Sequence, residues 1–243
     1  MSDEIGVFGL GRFGSLWARE LSARWPVVGA DPVETPEGIE SASPEEVAGC
    51  RDVFVCTPIS RLEEALAPLA GIFQAGTTVL DTCSVKVEPA RVMNEILPGH
   101  VEIVGTHPMF GPDSVDGGIS GRSIAMCPVR AREETVRRWS ERFEEMGLRV
   151  VMMSPDEHDR EAARTQGITH LVGRMLGRLE LEESPLGTVG YGSLRKIVEQ
   201  TCRDSEQLFL DMQRLNPHAR RVGGRVREAL EEVLAMISED ELN

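Results

Sequence analysis

The sequence predicts an α/β protein: a doubly wound, mostly parallel sheet followed by an all-helical domain. Three observations predict it. Through residues 1–153, short apolar runs of strand length alternate with helical patterns, the order that yields a parallel sheet with helices on both faces. The first run leads into a glycine turn, Gly9-Leu10-Gly11-Arg12-Phe13-Gly14, and then into a helical pattern through Leu16, Trp17, Ala18 and Leu21. Past Ser154-Pro155-Asp156-Glu157 the strand signals stop and helical periodicity alone continues to about Ile237. The expected domains are residues 1–153 and residues 154–243.

Each element can be justified in order. Glu4–Phe8 reads as a buried strand, and the glycines after it follow G-x-G-x-x-G in the context of strand, turn and helix. Gly9 permits the tight turn, Gly11 lets a pyrophosphate approach the backbone, and Gly14 lets helix and strand pack closely. The helix N-terminus then offers unpaired N–H groups to phosphate oxygens. The pattern predicts a Rossmann-type dinucleotide site, with Gly9, Leu10, Gly11, Arg12, Phe13 and Gly14 against the cofactor; a glycine-rich turn with no ligand is the bland alternative. The second strand, Val27–Ala30, ends in Asp31, 20 residues beyond Gly11, where a carboxylate bonds the ribose hydroxyls of NAD. The same acid also suits the start of an Asp31-Pro32 turn. NAD is expected over NADP because a 2′-phosphate would meet like charge; Arg12 keeps NADP open.

Val53–Cys56 is the third strand and runs into Thr57-Pro58, further candidates for the cofactor, with Ser60 capping the next helix. Thr77–Leu80 is the fourth and ends in Asp81-Thr82-Cys83-Ser84-Val85-Lys86. Ser84 and Lys86 could face a ligand there, or cap a helix and point to solvent. The fifth strand, Val101–Val104, delivers Gly105-Thr106-His107-Pro108-Met109-Phe110-Gly111-Pro112. Pro108 pushes His107 into extended backbone, and an imidazole at a strand's carboxyl end can exchange a proton near neutral pH. A histidine simply packed in a loop is the bland alternative. Ser123–Cys127 and Leu148–Met152 complete seven strands, separated by a charged helix from about Ala131 to Met146.

The helical domain opens with a capping box at Ser154 and Glu157, and Pro155 takes the first helical position. Breaks are expected from Ser184-Pro185 through Gly192 and at Asn216-Pro217. The stripe Ile168, Leu171, Val172, Met175, Leu176 and Leu179 needs a partner that so small a domain lacks, so a two-fold homodimer is expected. The first helix also carries His158, Asp159, Gln166 and His170. Gln166 and His170 share a face one turn apart among apolar neighbours; a solvated face is a fair reading for His158 and Asp159.

Composition narrows the classes. Net charge of −14 argues against nucleic acid and anionic membranes. No apolar stretch has the length of a membrane span, and no signal-peptide pattern opens the chain. The five cysteines are scattered without metal-ligand spacing, which reads as reduced, buried thiols in a cytoplasmic protein with no metal site.

Taken in order, Gly9-x-Gly11-x-x-Gly14, Cys56-Thr57-Pro58, Asp81-x-x-Ser84-x-Lys86, the His107–Pro112 run, and His158-Asp159 with Gln166 and His170 resemble the prephenate/arogenate dehydrogenase family of tyrosine biosynthesis. Ile168-Thr169-His170 and Gly187–Tyr191 look closest to the plant-like arogenate dehydrogenases. The resemblance implies an oxidative decarboxylation. A hydride leaves the ring carbon bearing the hydroxyl for the nicotinamide, the opposite carboxylate departs as CO2, and the ring becomes aromatic. His107 would take the hydroxyl proton, and Ser84 would orient that imidazole. Gln166 and His170 would line the substrate pocket, and Lys86 would anchor a carboxylate. Prephenate-specific members carry an arginine at the position of Gln200, and Asp204, one helical turn later, matches the acid that arogenate-type enzymes offer to the substrate amine. Arogenate is therefore expected, with prephenate, giving 4-hydroxyphenylpyruvate, as the alternative. A hydroxyacid dehydrogenase of similar plan would need a catalytic lysine in the helical domain, where Lys196 is the only lysine. A non-catalytic dinucleotide sensor would keep the glycines and Asp31 but have no use for Ser84, His107 and His170 together. No attached ligand-sensing module is expected.

Overall fold

The computed structural model describes residues 2–33, 35–115 and 117–238. The chain divides into two compact units, Met1–His158 and Asp159–Asn243. The division falls inside a helix, Pro155–Ala162, and not at its Ser154 cap.

In the first unit eight strands form one sheet: β1 (Ser2–Phe8), β2 (Val27–Ala30), β3 (Glu40–Ser41), β4 (Cys50–Val55), β5 (Thr78–Asp81), β6 (Glu102–Pro108), β7 (Ser123–Arg130) and β8 (Arg149–Met152). Their order is β3-β2-β1-β4-β5-β6-β7-β8, parallel throughout except for the antiparallel β6–β7 pair. β3 has no signature in the sequence, because its two exposed residues are too few to carry a hydrophobic period. Strand order reverses between β2 and β4 on either side of β1, the switch point at which such sheets open a crevice beyond their carboxyl ends.

Alternation of side chains along buried strands gives the sheet two cores. Phe54, Leu80 and Val104 face one side with Trp17, Ala18 and Leu21 of α1 (Arg12–Ser22) and Trp139 and Phe143 of α5 (Glu133–Glu145). Val53, Val55, Val79 and Ile103 face the other. There they meet α2 (Pro44–Ala48) through Val47, α3 (Leu62–Leu66) through both leucines, and α4 (Val87–Ile96) through Val92 and Met93. Aromatic rings knit the first core: Phe54 meets Trp139 edge-on at 4.9 Å and Trp17 at 5.6 Å. Asp52, buried at the start of β4, fastens α5 to the sheet. It accepts from Trp139 Nε1 at 3.0 Å, Arg138 at 2.7 Å and Arg142 at 3.1 Å.

The second unit is helical among its described residues. After α6 (Pro155–Ala162) comes one π-helical turn, Ala163–Gly167, then α7 (Ile168–Gly177), α8 (Val189–Arg203), α9 (Glu206–Arg214) and α10 (Ala219–Ser238). Gly173 and Gly177 let α7 and α8 approach: a Cβ on Gly173 would overlap Thr201 Oγ1, and one on Gly177 would lie 2.9 Å from Cys202 Sγ. The chain also breaks at Asp204, where the periodicity predicts continuous helix. Ser205 is the reason, since its hydroxyl accepts from Leu208 N at 3.1 Å and starts α9 afresh.

Candidate active site

The glycine turn follows the division of labour expected of it. Gly9 has φ +82, a conformation that excludes most side chains, and packs against the Cys56–Thr57 backbone. A Cβ on Gly14 would overlap the Gly9 carbonyl oxygen, so this position seats α1 against β1. A Cβ on Gly11 would meet no protein atom within 4 Å. Only there does the loop leave open space beside bare backbone, the room a pyrophosphate requires. Gly11 is also the N-cap of α1, and Ser15 N closes the first turn onto its carbonyl at 2.9 Å.

Asp31 stands beside this loop, accepting from Leu10 N at 2.7 Å and Val33 N at 2.9 Å. Asp31 thus starts a turn, and its carboxylate stands next to the glycines. Arg12 spans from the loop to Asp113 in a two-pronged pair of 2.8 and 2.7 Å. Phe13 turns inward, stacking on Trp17 at 6.0 Å and tilting against Phe110 at 6.4 Å. It can therefore offer a cofactor its backbone and no more. Thr57 and Pro58 follow β4, next to β1 in the sheet. These residues fit a dinucleotide.

Two strands along the same edge, β5 and β6 end in a second polar group. Lys86 is 1% exposed and runs its stem past Gly105, where a Cβ would crowd it at 3.2 Å. Its ammonium donates to Asp81 Oδ2 and, at 2.6 Å, to the Thr106 carbonyl oxygen. Thr106 Oγ1 donates to the Asp81 carbonyl at 2.5 Å. The structure thus corrects the expectation that Lys86 anchors a substrate carboxylate: its charge is already matched by a buried acid. Asp81 Oδ1 is buried without a hydrogen bond.

His107 lies at the carboxyl end of β6, opposite Ala125 of β7, and is 4% exposed. Burial, the His158 ring and the Lys86 ammonium, in that order, push its pKa well below the ordinary imidazole value. At neutral pH it is an uncharged base. Its Nδ1 lies 2.9 Å from His158 Nε2, with ring centroids 5.1 Å apart. The hydrogen bond expected from Ser84 is not made: Ser84 is buried after β5, but His158 occupies the nitrogen it would have oriented. Nor do His158 and Asp159 sit on a solvated face; they are 3% and 0% exposed. Adjacent positions near a helix start look alike in sequence whether they face water or protein.

In the second unit, His170 is buried on α7 with Nε2 3.7 Å from Asp204 Oδ2. Burial lowers its pKa; Asp204 opposes that and Arg174 adds to it. Arg174, which no sequence motif marks, donates to the Asp204 carbonyl at 2.5 Å and the Ser205 carbonyl at 3.2 Å and stacks on Phe209 at 5.3 Å. It fixes the corner from which the Asp204 side chain projects. Asp204 is therefore not a helical acid one turn past Gln200 but the residue at the end of α8, with extended backbone. Gln200 is exposed on α8. Gln166 falls in the π-helical turn, a widening frequent at functional sites, and its Oε1 is buried without a hydrogen bond. Gln213 donates to the Gly167 carbonyl of that turn at 3.0 Å. Among the described residues no three His, Cys, Asp or Glu side chains are grouped as metal ligands, and no helix is long and apolar enough to cross a membrane.

Known proteins resemble this chain in sequence and in fold. Residues 19–152, more than half of the chain, match the family model described as prephenate dehydrogenase, nucleotide-binding domain. Residues 175–242 match TYRAAT1-like, C-terminal domain. Arogenate dehydrogenase 2, chloroplastic, of Arabidopsis thaliana is 32% identical over 253 residues, covering 95% of this chain and 68% of that protein. Arogenate dehydrogenase 1, chloroplastic, of the same plant is 33% identical over 235 residues, covering 89% and 36%. The chain thus spans about a third of the length of one relative and two thirds of the other. A crystal structure of prephenate dehydrogenase from A. aeolicus, in complex with hydroxyphenyl propionate and NAD+, has the same fold, with a TM-score of 0.77 at 20% identity over 100% of this chain and 94% of that one.

Proposed function

The chain belongs to the prephenate dehydrogenase family, and from that premise we propose that it oxidatively decarboxylates arogenate to tyrosine with NAD, prephenate being the alternative substrate. The observation that carries the reading is His107: a buried, uncharged imidazole at a strand's carboxyl end, on the sheet edge that also holds the glycine turn. When bound, NAD supplies the acceptor for a hydride from the ring carbon. Everything else falls to the protein. His107 takes the proton of the ring hydroxyl as that oxygen becomes a carbonyl, an interaction that strengthens toward the transition state. Gly9, Gly11 and Gly14 let the pyrophosphate reach backbone N–H groups, and Asp31 receives the adenosine ribose. Ser84 borders the substrate after β5. Lys86, held by Asp81, is a positioning group beneath the site.

Choice of arogenate rests on Asp204 and on Gln200. A carboxylate held by Arg174 at its backbone suits an ammonium, whereas a keto acid would place like charges together. Gln166 and His170, in the same helical unit as Asp204, are the other residues there that we assign to the substrate. The apolar face Leu230, Val233, Leu234 and Ile237 of α10 is exposed at helical spacing and supports a homodimer. Reduced, mostly buried thiols support a cytoplasmic setting.

Steady-state kinetics with both substrates and both dinucleotides tests the proposal. Arogenate with NAD should give the highest kcat/KM; a tenfold preference for prephenate would reverse the substrate assignment, and Gln200→Arg should raise prephenate turnover. His107→Ala should abolish turnover while NAD still binds. A wild-type protein that binds NAD yet turns over neither substrate would instead be a dinucleotide sensor.

A further inference from the structure

His158 has no part in the function as stated so far, yet it is the group that touches the proposed base. It is 3% exposed, and its backbone N–H is tied to the Ser154 carbonyl at 3.0 Å, in the first turns of the helix that Pro155 starts. Its Nε2 lies 2.9 Å from Nδ1 of His107, within hydrogen-bonding range. Two imidazole nitrogens so placed share one proton, and there are two ways to arrange it. If His158 donates, His107 must carry its own proton on Nε2, and the nitrogen left for a substrate has no lone pair. If His107 donates, Nε2 is bare and can act as a base.

We infer that His158 is a positioning residue for His107: its Nε2 accepts the Nδ1 proton, which holds His107 in the Nδ1–H tautomer and leaves Nε2 as the atom that takes the proton of the ring hydroxyl. The inference rests on the reading of His107 as the base. It accounts for features that reading leaves idle. No hydrogen bond occupies His107 Nε2 among the described residues. The same hydrogen bond also persists through the step. The hydroxyl O–H bond breaks, an Nε2–H bond forms, and Nδ1–H stays in place while its bond to His158 becomes charge-assisted and stronger. An imidazole acceptor suits this role in a buried site because it fixes the tautomer without adding a second buried charge, whereas a carboxylate at the same place would also raise the basicity of His107. The two rings meet at 65°, so the contact is made through the ring edge and not by stacking.

The full-length protein, labelled with 15N at histidine, tests this without substrate. Two-bond 1H–15N correlations report which ring nitrogen carries the proton, and the His107 signals are those lost in His107→Gln. The expected result is a protonated Nδ1 and a bare Nε2 in the wild type, with His158→Leu moving His107 toward the Nε2–H form. Kinetics add a second arm: His158→Leu should lower kcat by about tenfold or more with KM little changed, and His158→Gln, whose amide oxygen can accept the same proton, should recover most of it. A wild-type His107 protonated on Nε2 overturns the inference, whatever the variants do. So does a His158→Leu enzyme within about threefold of wild-type kcat. Since the tautomer is read from the resting protein, absence of turnover in the wild type would refute the proposed function alone.

Discussion

At the scale of single residues, the site is governed by what burial does to charge. His107 is kept neutral by burial first, then by His158 and Lys86. The sign of its effect on stability follows. Below the ordinary imidazole pKa of ~6.5, the unfolded chain binds a proton that the folded chain refuses, so stability is full above that pH and falls as pH drops beneath it. His170, lowered chiefly by burial, acts in the same direction. Urea midpoints measured from pH 7.5 to 5 should therefore decline, and decline less in His107→Gln. The acid limb of kcat/KM should likewise lie below pH 6.5, not at it. Lys86 and Asp81 illustrate the other side of burial. Removing one partner of a buried ion pair strands the other, at a cost of about 3–5 kcal/mol. Lys86→Met should lose that much in denaturant unfolding, because Asp81 already has one oxygen without a partner. The double variant Lys86→Met, Asp81→Leu should regain a large share. A single-variant loss under about 1 kcal/mol would mean that water reaches the pair.

At the scale of elements, the glycines separate packing from binding. Gly14→Ala would drive a methyl group into the Gly9 carbonyl, and backbone cannot step aside as a side chain can. It should unfold at markedly lower temperature, with a loss of about 1–3 kcal/mol or more. Gly11→Ala meets no protein atom, so its melt should match wild type while NAD affinity falls. Thermal melts with and without the dinucleotide distinguish the two outcomes. Gly173→Ala should behave like Gly14→Ala, because Thr201 fills the space and its hydroxyl is tied to the Ile197 carbonyl at 2.7 Å. The strands of the first unit, β3 excepted, were legible as apolar runs bounded by turn residues. The helices beyond residue 154 were legible in periodicity but not in their ends. Gly177 closes α7 short of the expected Glu183, and Ser205 restarts the chain after Asp204. Apolar periodicity continues through such corners, because successive helices bury the same kind of face.

At the scale of the whole molecule, its cysteines report which parts are closed. Burial raises the Cys50 thiol to about 11 and the Cys56 thiol to about 12, and lifts Cys83 well above its ordinary value. Cys127 is buried, Cys56 is half-buried and Cys202 is exposed on α8, so the expectation of five buried thiols holds for three of them. Iodoacetamide at pH 8 should add one group to the native protein, at Cys202, and five in urea, counted by mass spectrometry. By itself the sequence determined the succession of strands other than β3, the tight turn at Gly9 and the close packing at Gly14, the carboxylate after β2 and the histidine after β6. Each of these follows from local chemistry: period, turn geometry and the reach of a few neighbouring residues. Tertiary structure decided which polar side chains meet. Ser84, 23 residues from His107, leaves its Nδ1 alone, while His158, 51 residues away, takes it. Lys86 proved to be the counter-ion of Asp81, and Arg174 the clamp on Asp204. Contacts between side chains distant in the chain depend on how strands and helices are stacked in space, and no spacing along a sequence encodes that.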